Sequence, residues 1–327
     1  MKYLISLLVF CIILFLYIHV YFHLKTSEDL EVLVLDNDPS KEKFEEVCDL
    51  RQPVLFDFYE DEIDKYCNLN SVISNYGAFD IQVRNTQDHT SQLTHLPMTL
   101  NACMNIINDD KDSKILSEKN QAFLEETSLI KTLKYNDMFL RPYMVCNCNY
   151  DYMFGSNNVR TPLTYNLNYR NFYYANEGKV KVILIPPKYS KYLYCIKDYE
   201  SFEFCSPVNP WDVQPKYKPD FYKLKTLEIE INKGQCLYIP AYWWYSIQYG
   251  ESSSISVFQY RTYMNNVAIS PQLFMKILQS QNIKRDIVKK AANKDSIAII
   301  ENLNNNEKST KDEKDEKDEQ DEKVNTL

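Results

Sequence analysis

Glycine is scarce. The 327 residues contain 5: Gly77, Gly155, Gly178, Gly234 and Gly250. With so few, each marks a forced turn. No Gly-rich phosphate loop is present, which disfavours P-loop and Rossmann nucleotide sites. Histidine is scarcer still at 4. His19 and His23 fall in an apolar N-terminal run, leaving His89 and His95 in QDHTSQLTHLP. Their spacing matches neither one helical turn nor a zinc pattern, so they read as surface or packing residues. No basic patch stands out, which argues against a nucleic-acid partner. No Asn-x-Ser/Thr glycosylation acceptor occurs. The 9 cysteines are scattered without a disulfide-rich rhythm. Cys146-Asn-Cys148 lacks the CxxC spacing of a zinc half-site, and buried free thiols are the expectation.

Charge is uneven. Net charge is −8, and residues 307–323 alone hold nine acids against five lysines. That polar, repetitive tail (305–327) is expected to be disordered.

One long uncharged run stands at the other end. Residues 3–24, YLISLLVFCIILFLYIHVYFHL, contain no Lys, Arg, Asp or Glu. As a helix of about 1.5 Å per residue, the run is long enough to span a bilayer. It exceeds the usual apolar core of a signal peptide and no small-residue cleavage site follows, so a single N-terminal anchor (1–25) is expected. Tyr17, Tyr21 and Phe22 sit where interfacial aromatics would. Lys2 with the α-amino group nearly balances Lys25, so orientation is only weakly determined.

Beyond it lies a tether, 26–41, with one apolar run, EVLVL. Ser40 can cap a helix, SKEKFEEVC. RQPVLFDF reads as a strand, 59–68 as a helix, AFDIQV (78–83) as a strand, and 97–136 as helical pieces split by NDDKDSK. From about 138 to 261 the texture changes. Aromatics make up 14% of the chain, with 26 Tyr, and this region is Tyr/Val/Ile-rich. Turn signals recur at Gly155-Ser156-Asn157-Asn158, Asn176-Glu177-Gly178, Pro186-Pro187, Asn232-Lys233-Gly234 and Tyr249-Gly250. Such spacing predicts an antiparallel sandwich or barrel. Helical texture returns over 263–304, with Ser270-Pro271 opening one helix and a second starting near Lys284. These helices are expected to pack on the barrel or on another copy of the chain.

Several pieces together resemble one family in order. RQPVLFDF (51–58), TPLTYN (161–166), EGKVKVILIPP (177–187), YSKYLY (189–194), NPWDVQPKYKPDF (209–221) and GQCLYIPAYWWYSI (234–247) are similar to successive segments of the JmjC/cupin-like (cupin-8 type) family. That family includes Fe(II)/2-oxoglutarate asparaginyl hydroxylases. The resemblance covers roughly 42–262. It implies a mainly β fold, a double-stranded β-helix (cupin/jelly-roll) barrel with flanking helices, here preceded by one transmembrane helix. It also implies a His-x-Asp pair on one strand and a His after a Trp pair, which form a facial triad open to cosubstrate. The matching positions here are Thr164, Asn166 and Tyr245, so all three ligands are replaced. Thr and Asn are neutral oxygen donors, weak for Fe(II). A Tyr phenol titrates near 10.

For the cosubstrate, Thr161 matches a family Thr, Lys179 or Lys181 lies near a family Lys, and Phe258 stands for a later Asn. Tyr242 and Trp243 are pocket candidates, or else fill the barrel. Arg170 is a further basic candidate or a salt bridge in the sheet. Relatives often dimerise through C-terminal helices, which implies a homodimer.

The expectation is a membrane-anchored, catalytically inactive cupin-like module without metal or cofactor, with a protein or small-molecule ligand. The alternative is an atypical oxygenase using Fe(II) and 2-oxoglutarate. A lumenal transferase finds no metal-nucleotide motif, since Asp36-Asn37-Asp38 lies close to the membrane run.

Overall fold

The computed structural model describes residues 2–35, 39–86 and 95–282. His89, the helix expected from Lys284 and the acidic tail lie outside them.

Eight strands build the barrel: β1 (Val145–Gly155), β2 (Leu163–Tyr165), β3 (Arg170–Glu177), β4 (Lys179–Ile185), β5 (Leu227–Asn232), β6 (Gln235–Tyr238), β7 (Trp244–Tyr249) and β8 (Ser254–Thr262). One sheet has the order β6-β3-β8-β1 and the other β2-β7-β4-β5. All these pairings are antiparallel. The chain crosses repeatedly between sheets, which is the jelly-roll solution to closing an antiparallel sheet. The first sheet is extended beyond β6 by Val54–Asp57, and beyond β1 by Ile115–Ser117, Asp80–Asn85 and Leu96–Thr99. Leu33 and Val34, in the segment read as a tether, pair in parallel with Val54 and Leu55.

Two tight connections depend on glycine. Gly178 turns β3 into β4 at φ +71°, where a Cβ would lie 2.7 Å from the Ser253 Cβ. Gly234 turns β5 into β6 at φ +82°. Both are left-handed conformations that cost other residues strain.

Alternation then sorts the side chains. In KVKVILI, Val180, Val182 and Leu184 enter the barrel interior with Tyr173, Leu237, Trp243, Ile247 and Val257. The opposite face of the first sheet packs Phe172, Tyr174, Tyr238 and Tyr260 against the helical layer, including Phe44. That layer includes Lys41–Asp49, whose N-terminus is capped by the Ser40 hydroxyl accepting from the Lys43 amide. The outer face of the second sheet carries a smaller cluster around Leu163, Ile185, Leu193 and Trp244.

The N-terminal helix, Lys2–Leu24, is long and apolar enough to cross a membrane. Nearly all of it is exposed, but its last turn docks on the domain. His23 is buried with Nε2 3.3 Å from the Thr262 hydroxyl. The Arg51 guanidinium lies 5.1 Å from the Phe22 ring centre and 4.5 Å from that of Tyr169. The helix packs on Tyr263–Ala268, which in turn contacts Ser270–Ser280.

Candidate functional site

The three positions that resemble the metal ligands converge in the barrel mouth. Thr164 on β2 is the direct cross-strand partner of Tyr245 on β7. Asn166 follows β2 by one residue, so period-two alternation puts it on the same face as Thr164. The Asn166 amide donates to the Tyr245 hydroxyl at 3.1 Å and to the Tyr173 hydroxyl at 3.1 Å. A carboxamide nitrogen has two protons, and both are used. The two phenol rings pack with centroids 5.2 Å apart. Burial pushes the Tyr245 phenol above its ordinary value of 10.0, with hydrogen bonds to Tyr173, Thr164 and Asn166 acting the other way. Burial pushes Tyr173 well above it, reinforced by the neighbouring Tyr245. Both phenols are therefore neutral hydroxyls at neutral pH.

Tyr173 was not anticipated from sequence. The signal was present: in NFYYAN only one of two adjacent tyrosines can face the barrel interior, and Tyr174 takes the helix-covered face.

The remaining sequence candidates are not drawn into this cluster. Lys179 and Lys181 lie on the solvent side of β4, 69% and 52% exposed, paired with Glu230 at 3.2 Å and Glu228 at 4.0 Å. The physical reason is alternation against Val180 and Val182. Thr161 is a fastener: its hydroxyl accepts from the Ile247 amide at 2.8 Å, and its carbonyl accepts from the Ser246 hydroxyl at 2.6 Å. Trp243 is fully buried in the barrel core. Phe258 faces the helical layer, edge-on to Tyr150. Arg170 resolves as the salt bridge. It is 1% exposed and holds Glu45 at 3.1 Å, Asp49, the Cys48 carbonyl at 2.9 Å and the Tyr238 hydroxyl at 3.0 Å.

Tyr242 faces elsewhere. It lines a cavity of about 490 Å³ together with Tyr165 and Trp244. Tyr165 alternates with Thr164 and Asn166, so this cavity lies on the outer face of the second sheet. Among the described residues, no three His, Cys, Asp or Glu side chains gather as a metal-ligand group.

Two sheets joined by jelly-roll crossings, with the site at the barrel mouth, define a cupin-type β-barrel protein. The chain belongs to the cupin-like domain family, which it matches over residues 28–266. A 104-residue stretch, 32% of this chain, is 25% identical to HSPB1-associated protein 1 of Rattus norvegicus and of Mus musculus. The stretch spans 22% of those proteins.

Proposed function

We propose that this chain is a membrane-anchored cupin-like protein whose barrel acts as a binding or scaffolding module rather than as an oxygenase. One observation carries the reading: Asn166 and Tyr245, two of the three positions whose motifs resemble the family's facial triad, are joined with Tyr173 in a hydrogen-bond cluster. Fe(II) oxygenase chemistry needs imidazole and carboxylate donors with open positions. The donors here are a hydroxyl, a carboxamide whose protons are committed to two phenols, and a neutral phenol. This set does not fit Fe(II), and no catalytic step follows from it. The anchor rests on the length, apolarity and exposure of Lys2–Leu24.

The test uses full-length chain in detergent, loaded anaerobically with Fe(II) and supplied with 2-oxoglutarate and O₂. Well under one iron per chain and no succinate are expected. Near-stoichiometric iron with succinate release would overturn the reading in favour of an atypical Fe(II)/2-oxoglutarate oxygenase. Carbonate extraction of membranes tests the anchor separately, with retention in the pellet expected.

A further inference from the structure

The cavity on the outer face of the second sheet has no part in the triad-derived cluster. Its walls come from distant parts of the chain. Leu24 and Thr26 flank the end of the N-terminal helix, Lys191 and Lys197 lie near the short 3₁₀ turn Pro187–Tyr192, and Gln272 belongs to Ser270–Ser280. Tyr242 completes it from the loop before β7.

Three features mark this wall. First, Tyr242 holds φ +68° in the turn before β7, where its amide donates to the Asn166 carbonyl at 2.9 Å. A bulky residue in the left-handed region persists only where the surroundings enforce it, as this turn does. Second, the Tyr242 hydroxyl and the Gln272 Oε1 are both buried without a hydrogen-bond partner among the described residues. Orphaned polar atoms in a cavity wall cost free energy unless a ligand or water meets them. Third, the lining contains two lysines and no carboxylate. Neither lysine forms an ion pair among the described residues, and the Lys191 ammonium rests 4.9 Å from the Tyr192 ring centre.

The required occupant therefore has an anionic group for the lysines, an acceptor for Tyr242 and an O–H or N–H donor for Gln272. The position selects the source. Leu24 is the last residue of the apolar helix, and Lys188 ties Glu28 to the 3₁₀ turn at 3.4 Å. If the helix spans a bilayer, the cavity opens at headgroup level. Phe274, Ile277 and Leu278 of the helix that supplies Gln272 are 51–60% exposed, an apolar surface suited to acyl chains.

We infer that this cavity binds the headgroup of an acidic phospholipid that carries a hydroxyl or ammonium donor beside its phosphate, such as phosphatidylserine. The inference rests on the anchored reading above. Basic residues near a membrane surface favour anionic lipid additively.

The test reconstitutes the full chain in phosphatidylcholine nanodiscs containing a minor fraction of photoactivatable phosphatidylserine, with crosslinks mapped by mass spectrometry. Labelling within 187–197 and at 242–244 is expected. Lys191→Glu with Lys197→Glu should reduce it roughly tenfold or more, and Tyr242→Phe should reduce it while keeping the ring. Thermal melts confirm that each variant folds. Labelling confined to the N-terminal helix, equal labelling by a phosphatidylcholine probe, or indifference to the lysine changes would overturn the inference and leave the anchor standing. Loss of label to inorganic phosphate would assign the cavity to a soluble anion and overturn the lipid source. Release of the chain by carbonate would overturn anchor and inference together.

Discussion

The Asn166 amide sits 3.1 Å from the Tyr245 hydroxyl and the same distance from that of Tyr173, so one side chain bridges β3 and β7. The bond joins strands of opposite sheets across the barrel mouth. Substitutions there report on packing before they report on chemistry.

Tyr245→Phe deletes one acceptor and leaves one amide proton of Asn166 unmatched. A loss of about 1 kcal/mol is expected, read by thermal or denaturant unfolding. The combined change Thr164→His, Asn166→Asp and Tyr245→His replaces the cluster with the family's donor set. It is expected to gain near-stoichiometric divalent metal, measured by elemental analysis after dialysis. A correctly folded triple variant without metal would show that the positions do not share one coordination sphere.

Arg170 is a buried clamp between β3 and the helix Lys41–Asp49. Arg170→Met removes one donor from each of Glu45, Asp49 and the Cys48 carbonyl, which keep Lys41, the Tyr169 hydroxyl and the Tyr238 hydroxyl as partners, so a cost of about 1–3 kcal/mol is expected. Arg170→Lys should restore little, because an ammonium cannot reproduce the guanidinium fork. Hydrogen exchange should show the helix loosening before the barrel strands.

Burial pushes the thiols of Cys48, Cys67 and Cys103 from 9.0 up to about 12. Iodoacetamide at mild alkaline pH should spare all three in the folded chain and modify them after denaturation. The sign of the stability effect follows. The folded state keeps these protons above pH 9.0, where the unfolded state sheds them. Stability is retained below 9.0 and falls as pH rises towards about 12, by roughly 1.4 kcal/mol per unit for each thiol. A melting temperature that held steady across that window would contradict this.

Lys179→Ala and Lys181→Ala remove exposed ion pairs with Glu230 and Glu228. Each should change stability by less than about 0.5 kcal/mol. Neither should alter any ligand held in the barrel mouth, as judged by ligand-induced shifts in melting temperature.

Much of the barrel was legible in the sequence because its signals are local. GQCLYIPAYWWYSI contains the turn glycine, the alternation and the Trp pair, and it becomes β6 and β7. The helix after Ser40 follows from one capping hydroxyl. The residue types at the positions that resemble the family's ligand motif were equally local, since Thr164, Asn166 and Tyr245 can be read one at a time. Lys179 and Lys181 were misplaced towards the pocket although KVKVILI already contains the answer. With Val180, Val182 and Leu184 inside, period-two geometry sends both lysines out.

What stayed hidden depends on contacts between distant residues. Tyr173 joins Asn166 and Tyr245 only because β3 and β7 lie in facing sheets. Arg170 chose its carboxylates only when Lys41–Asp49 packed over the first sheet. The outer cavity draws on residues 24–26, 165, 187–197, 242–244 and 272, which no sequence window contains. The sequence by itself determined the strands, the turns, the apolar N-terminal helix and the residue types at Thr164, Asn166 and Tyr245, because each is set by neighbours along the chain. Only the tertiary structure decided which hydroxyls meet in the barrel mouth, which charges are paired and which polar atoms of Tyr242 and Gln272 are left over. Those outcomes depend on how two sheets and segments distant in the chain close on one another.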